Sequence, residues 1–176
     1  LAPQSLQVAQ RIVKAVDSPW KIPYDGRLRA PPQVFAPPAD RADAKQRLED
    51  TRQSIRPFQR MLYAGKQYSV LLVFQALDAA GKDGVIREVF EDLDPVNVQV
   101  SAFKRPTEPE LRHDFLWRTS KCLPERGEIA VFNRSYYEEV LTVRVHPEFL
   151  AAQYAGGTPD PQQLWPARYQ AIREHE

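Results

Sequence analysis

Cysteine is nearly absent from this 176-residue chain, Cys122 standing alone. No disulfide can close within it, which fits a reducing, cytoplasmic compartment. Charge of one sign is also lacking. The 24 Lys and Arg residues nearly balance 23 Asp and Glu, for a net charge of +1. That balance argues against a general nucleic-acid binder, so any anion site has to come from local clustering. No apolar run approaches the roughly 18 residues of a membrane span, which argues against a membrane protein. The three histidines, His113, His146 and His175, lack metal-like spacing, and no zinc site follows from them. The first residues, Leu1-Ala2-Pro3, hold neither a Met nor a signal-peptide pattern, so a trimmed or partly represented chain is expected.

Proline, in contrast, is abundant, with 16 residues. Pro19, Pro23, Pro31, Pro32, Pro37 and Pro38 crowd the front. Proline fixes φ and removes a backbone donor, so residues 18–39 are expected as an extended arm. Trp20, Ile22, Tyr24, Val34 and Phe35 would pin that arm to a surface as a strap. Leu6, Ala9, Ile12, Val13 and Val16 recur at helical spacing, which predicts a short amphipathic helix over residues 4–17. The expected organisation is a helix and Pro-rich arm over residues 1–39, then one domain over residues 40–176.

Within that domain, residues 40–64 predict a long helix carrying Leu48, Ile55, Phe58, Met61 and Leu62. Pro57 should kink or split it, and Gly65 should stop it. Residues 69–76 are apolar on both faces, which predicts a buried central strand. Residues 82–91 predict a helix with Val85, Ile86, Val89 and Phe90 on one side. Residues 97–103 and 128–132 predict two more strands. Helices are expected over residues 109–122, 136–145 and 161–174, and Gly156-Gly157-Thr158-Pro159 marks a loop. Strands alternating with helices imply an α/β fold with a parallel sheet covered on both faces. Ligands of such folds bind at the carboxyl ends of the strands, here Ala76 to Lys82, Phe103 to Arg105 and Asn133 to Ser135.

The first of these ends carries the strongest signal. The run Phe74-Gln75-Ala76-Leu77-Asp78-Ala79-Ala80-Gly81-Lys82-Asp83-Gly84 follows an apolar strand and opens a helix. That is the layout of a phosphate-binding loop, with Ala76 in place of the usual first glycine and Asp83 in place of Ser or Thr. Small residues Ala79, Ala80 and Gly81 let backbone N–H groups approach phosphate oxygens, and the helix N-terminus adds positive potential. Lys82 supplies a full charge. Asp78 inside the loop would repel bare phosphate, and it makes sense if a divalent cation lies between them. Asp83 would serve the same cation or cap the helix. A tight strand–helix turn with a surface lysine is the plainer alternative.

The other two strand ends are weaker signals alone. Asn133 stands where phosphate-loop enzymes often place a magnesium-associated Asp, and Arg134 beside it can pair phosphate bidentately. A strand end capped by Asn reads the same way. Lys104 and Arg105 suit a polyanion as well as they suit solvent. Asp114 and Arg118, four apart on an expected helix, form either an ion pair or leave Arg118 as a ligand.

Taken in order, these pieces resemble the polyphosphate kinase 2 family. The matching text continues from the loop through Ser101-Ala102-Phe103-Lys104, His113-Asp114-Phe115-Leu116-Trp117-Arg118 and Leu123-Pro124-Glu125-Arg126-Gly127 to Phe132-Asn133-Arg134-Ser135-Tyr136-Tyr137-Glu138-Glu139-Val140-Leu141. The similarity runs from about Arg47 to the chain end. It implies a P-loop kinase-like three-layer fold and Mg2+-dependent transfer of phosphate between inorganic polyphosphate and a nucleotide. It implies a catalytic, metal-associated role for Asp78 and phosphate binding by Lys82, to which the residue pattern adds Lys104, Arg118 and Arg134 as candidate phosphate-binding cations. Asn133 and Glu138 fall where the ADP-preferring branch has Asp and Asn, so the chain looks like the branch that accepts AMP as well as ADP (class III). Adenine nucleotides are the implied acceptors, with guanine nucleotides also open, and a homo-oligomer is implied. The family's helical lid lies beyond the point where this chain stops, so the resemblance covers the front part of the domain.

The expected chemistry is direct attack by a terminal phosphate oxygen of AMP or ADP, already anionic near pH 7, so that no strong general base is needed. Two alternatives stay open on the sequence: an ATP-dependent nucleotide kinase on the same fold, and a non-catalytic module that binds polyphosphate or nucleotide.

Overall fold

The computed structural model describes residues 40–77, 79–154 and 156–176. The expected helix over residues 4–17, the Pro-rich arm and the loop residue Asp78 lie outside the described residues. The chain divides into two compact units, Leu1–Ala44 and Lys45–Glu176, and the sheet belongs to the second.

Three parallel strands build that sheet: β1 (Val70–Phe74), β2 (Val98–Ala102) and β3 (Ile129–Asn133). Their order is β1-β3-β2. Among the described residues β3 is thus the central strand, and β1, expected as a central one, lies at the edge of these three. The reason is visible in burial. Ala130, Val131 and Phe132 are almost fully enclosed, whereas Val70 is exposed and the rest of β1 half-buried. Apolar composition alone does not separate an edge strand from a central one. The register sets Phe74 and Ala102 both opposite Asn133, so all three strands end at one level.

The alternation of β3 assigns the two faces of the sheet. Ile129 and Val131 pack with Ile86, Leu62, Phe74 and Phe90 on one side. Ala130 and Phe132 pack with Phe103 and Cys122 on the other. The first face is covered by α1 (Arg41–Gly65) and α2 (Lys82–Phe90). Pro57 sits inside α1 without splitting it. Its position is solvent-exposed, where water can satisfy the carbonyl that a proline leaves without its helical donor. Phe58 and Met61 of this helix are about half exposed at 47% and 52%. The residue that α1 buries is Gln59, whose amide donates to Asn97 Oδ1 and to the Asp94 carbonyl, both at 2.7 Å. Asn97 in turn donates to the Gly127 carbonyl at 3.0 Å. This polar chain joins α1 to the entries of β2 and β3. Gly127 has φ +98° and a Cβ there would lie 3.3 Å from the Tyr63 carbonyl, so only glycine lets the chain pass this close to α1.

The expected helix over residues 109–122 is two short ones, α3 (Glu108–Leu111) and α4 (Trp117–Ser120). Pro109 lies in the first turn of α3, as its missing N–H allows. Residues 136–145 form a 3-10 turn over Tyr136–Glu139 and then α5 (Thr142–Val145). α6 (Pro147–Gln153) has no counterpart in the sequence-based expectation, and α7 (Pro161–His175) matches it closely. Among the described residues no helix is long and apolar enough to cross a membrane.

Candidate active site

The common level of the strand ends gathers the three predicted segments. One cavity of about 390 Å³ is lined by Ala79, Lys82 and Asp83 from the loop after β1, by Lys104 and Arg105 after β2, and by Asn133 and Arg134 after β3. Four cations face one carboxylate among its described lining residues. Like charges are held together there by backbone placement, which is costly unless an anion is to be bound.

Local conformation sets that placement. Gly81 caps α2 with φ +85°, a left-handed turn that glycine adopts without a Cβ clash. Ala79 and Arg134 also take left-handed backbone, at φ 60° and 65°. A non-glycine residue pays about 1–2 kcal/mol for this, and such residues concentrate where a side chain has to be aimed. The Arg134 N–H donates to the Phe74 carbonyl at 2.9 Å, which ties its turn to the end of β1. Ala80 and Gly81 shape the turn without lining the cavity, the Ala80 N–H donating to the Leu77 carbonyl at 3.2 Å. Asp83 does not cap α2. It accepts a hydrogen bond from the Asn133 side-chain amide.

Glu138 and Arg118 lie elsewhere. They line a second cavity of about 410 Å³, which shares Phe103, Lys104, Arg105 and Arg134 with the first and adds Val143, Phe149 and Ala152. The Arg105 guanidinium lies 6.0 Å from the Phe149 ring centroid. Glu138 accepts from Gln75, accepts from Thr142 Oγ1 at 2.6 Å and pairs with Arg134 at 3.6 Å.

Arg118 is not paired with Asp114, so of the two readings left open the ion pair does not hold. Asp114 precedes α4 and accepts from the Leu116 N–H at 2.9 Å. Arg118, 7% exposed at its side chain, pairs with buried Glu139 at 3.4 Å and donates to the Lys104 carbonyl at 2.7 Å. Arg168 of α7 reaches the same Glu139 carboxylate at 3.7 Å and donates to the Glu139 carbonyl at 2.8 Å. One carboxylate thus holds two buried guanidiniums and, through Arg118, the backbone under Lys104. Glu139, Arg168, Gln75 and Thr142 were given no role from the sequence. The partners of Gln75, Glu139 and Arg168 are distant along the chain, and no local spacing signals them, whereas Thr142 meets Glu138 only four residues away.

A family model for Polyphosphate kinase 2 (PPK2) matches residues 38–156. The chain belongs to the polyphosphate kinase 2 family. It is 56% identical over 119 residues to an ADP-polyphosphate phosphotransferase of Rhodopseudomonas palustris, covering 67% of this chain and 41% of that one. It is 40% identical over 161 residues to an AMP/ADP-polyphosphate phosphotransferase of Meiothermus ruber, covering 89% of this chain and 56% of that one. The chain therefore spans about half the length of these curated relatives. Its fold is similar to the crystal structure of Polyphosphate Kinase 2 from Arthrobacter aurescens TC1, with TM-score 0.67 and 37% identity over 78% of this chain and 46% of that one. In this kinase family member, the cavity at the strand ends is lined by Ala79, Lys82 and Asp83 of the expected phosphate loop.

Proposed function

We propose that the full-length protein moves a phosphate between inorganic polyphosphate and AMP or ADP. The observation that carries this reading is the pair of adjoining cavities with Lys104, Arg105 and Arg134 on their shared wall. The loop cavity is polar and rich in cations, which suits the polyphosphate donor. Its neighbour adds Phe149, Val143 and Ala152, an apolar lining that suits the nucleoside of an acceptor. Shared cations between them lie where the transferred phosphoryl group would pass.

In the forward step a terminal phosphate oxygen of the acceptor attacks the end phosphorus of polyphosphate. A new P–O bond forms, the bridging P–O bond breaks, and the donor leaves one phosphate shorter. The obstacle is mutual repulsion of anions, not proton removal. Lys82, Arg134 and the loop N–H groups offset it by positioned positive charge.

Magnesium belongs to the same proposal. A hard divalent cation takes few protein oxygens and completes its shell with phosphate and water. The donor types present fit: Asp83 and the Asn133 amide lie side by side on the loop cavity, and Asp78 lies in the loop between Leu77 and Ala79. Asp78 is the proposed metal-associated residue, with Asp83 as a second carboxylate of the same loop. Magnesium held by these carboxylates would supply charge neutralisation to the anionic substrates.

Acceptance of AMP rests on Glu138 and on the likeness to the Meiothermus protein, whose name carries both acceptors. A cytoplasmic setting and a homo-oligomeric assembly complete the proposal, and light scattering of the full-length protein tests the assembly. The deciding experiment supplies AMP, polyphosphate and Mg2+ without ATP. Formation of ADP supports the reading. AMP phosphorylation that requires ATP points to an ATP-dependent kinase, and nucleotide binding without turnover to a binding module.

A further inference from the structure

Gln75 lies just past β1 and lines neither of the two cavities, yet its side chain sits in a chain of contacts that leads to Arg134. Its amide nitrogen donates to Glu138 Oε1. Its amide oxygen accepts from Ser135 Oγ at 3.4 Å. The other Glu138 oxygen accepts from Thr142 at 2.6 Å and pairs with Arg134 at 3.6 Å. Glu138 is only 12% exposed at its side chain, so its orientation is fixed by these partners and not by water.

We propose that Gln75 is a positioning residue, which orients Glu138 so that the Glu138 carboxylate holds the Arg134 guanidinium at the wall between the two cavities. The role needs an amide. Ser135 requires an acceptor and Glu138 a donor, and only Asn or Gln among uncharged side chains offers both in a planar fork. Asn is one methylene short of the reach that Gln75 spans from the strand end. A carboxylate at this position would face Glu138 with like charge. The residue that leaves β1 is locked to the residues that leave β3, so loop and Arg134 share one frame. The proposal rests on the reading of the two cavities as donor and acceptor sites.

The test uses the full-length enzyme with Gln75→Met, similar in length without the hydrogen bonds, and Gln75→Glu, similar in shape with a charge. Both kcat/KM for AMP with polyphosphate and AMP binding by calorimetry are measured across pH, each as a ratio to wild type. Gln75→Met should lose about tenfold at every pH, the worth of a hydrogen bond to a charged group. Gln75→Glu should show a similar loss at about pH 8 and recover toward about pH 6, because a proton shared by the two carboxyls restores the donor to Glu138. Other charged or titratable groups around Glu138's cavity are Lys104, Arg105, Arg118, Arg134, Glu139 and His146, and the ratio to wild type cancels their own titration. A packing role alone would not produce that acid recovery. If Gln75→Met fails to fold, the pH ratio of Gln75→Glu decides alone. A ratio that stays flat, at wild-type level or below it, overturns the proposal. Absence of wild-type turnover with the binding ratio still recovering in acid would sink the phosphotransferase reading and leave the positioning role standing.

Discussion

The side-chain amide of Asn133, at the end of β3, donates to the carboxylate of Asp83 in the first turn of α2. This bond joins the strand that presents Arg134 to the helix that presents Lys82. It also keeps two oxygen-bearing side chains together at the place where magnesium is proposed to bind.

Replacing the donor should expose that arrangement. Asn133→Asp sets two carboxylates against each other and removes the hydrogen bond, at a cost of about 1–3 kcal/mol. The melting temperature should fall in a chelator and return on adding Mg2+, as the cation bridges the pair. Equal melting temperatures with and without Mg2+ would argue against a cation at this position.

The loop charges should matter for rate and little for folding. Lys82 is half-buried and lines the loop cavity. Lys82→Ala and Asp78→Asn in the full-length enzyme should each lower kcat by about a hundredfold or more, the usual worth of one transition-state contact. Steady-state kinetics measure this, and circular dichroism should show an unchanged fold. Near-wild-type turnover in either variant would remove that residue from the mechanism.

Acceptor choice has its own test at Glu138. Glu138→Asn should shift the AMP-to-ADP preference toward ADP, read as the ratio of kcat/KM for the two acceptors. Because Glu138 also holds Arg134, a fall in absolute rate of about tenfold is expected with both acceptors. A preserved ratio would show that this residue does not set the branch.

Stability should depend heavily on Glu139. Its side chain is 3% exposed, between Arg118 at 7% and Arg168 at 4%. Glu139→Gln keeps the shape and leaves two buried guanidiniums without their carboxylate. Breaking a buried pair in this way costs about 3–5 kcal/mol. Urea unfolding should report that loss, and a shift below about 1 kcal/mol would mean that water already screens the cluster.

A smaller, pH-dependent contribution comes from the start of α3. The Thr107 N–H donates to Glu110 at 2.7 Å, and this hydrogen bond holds the Glu110 carboxyl below its ordinary value of 4.5. A carboxyl with a depressed folded pKa stabilises the protein above its unfolded pKa and loses that contribution as pH falls through the folded pKa. Glu110→Gln should therefore cost about 0.5–1 kcal/mol at pH 7, the worth of an exposed helix cap. The gap to wild type should close progressively below pH 4.5. Thermal melts at several pH values measure it, and a gap independent of pH would assign the cost to the neutral hydrogen bonds alone.

Much of the site was legible along the chain because its signals are local. A phosphate loop needs small residues, a lysine and a helix start within a few positions, and Ala79 to Asp83 supply them in order. The three strand ends were legible for the same reason, since each is an apolar run followed by polar residues. Helix lengths were less so. α3 and α4 are separated by residues 112–116, where Asp114 caps the backbone and breaks a pattern that continues in the sequence.

Sequence alone determined the α/β class and the three segments that meet at the sheet's carboxyl edge, one of them carrying the proposed phosphate loop. Each follows from periodicity and residue chemistry over short spans. The tertiary structure decided which strand is central, because burial of β1 and β3 depends on neighbours that composition does not name. It also decided that Arg118 answers to Glu139, 21 residues away, and not to Asp114 on a helix that is interrupted. The Gln75–Glu138 contact, 63 residues apart, is of the same kind. Charge pairs are selected by distance and desolvation in space, and those are properties of the folded chain.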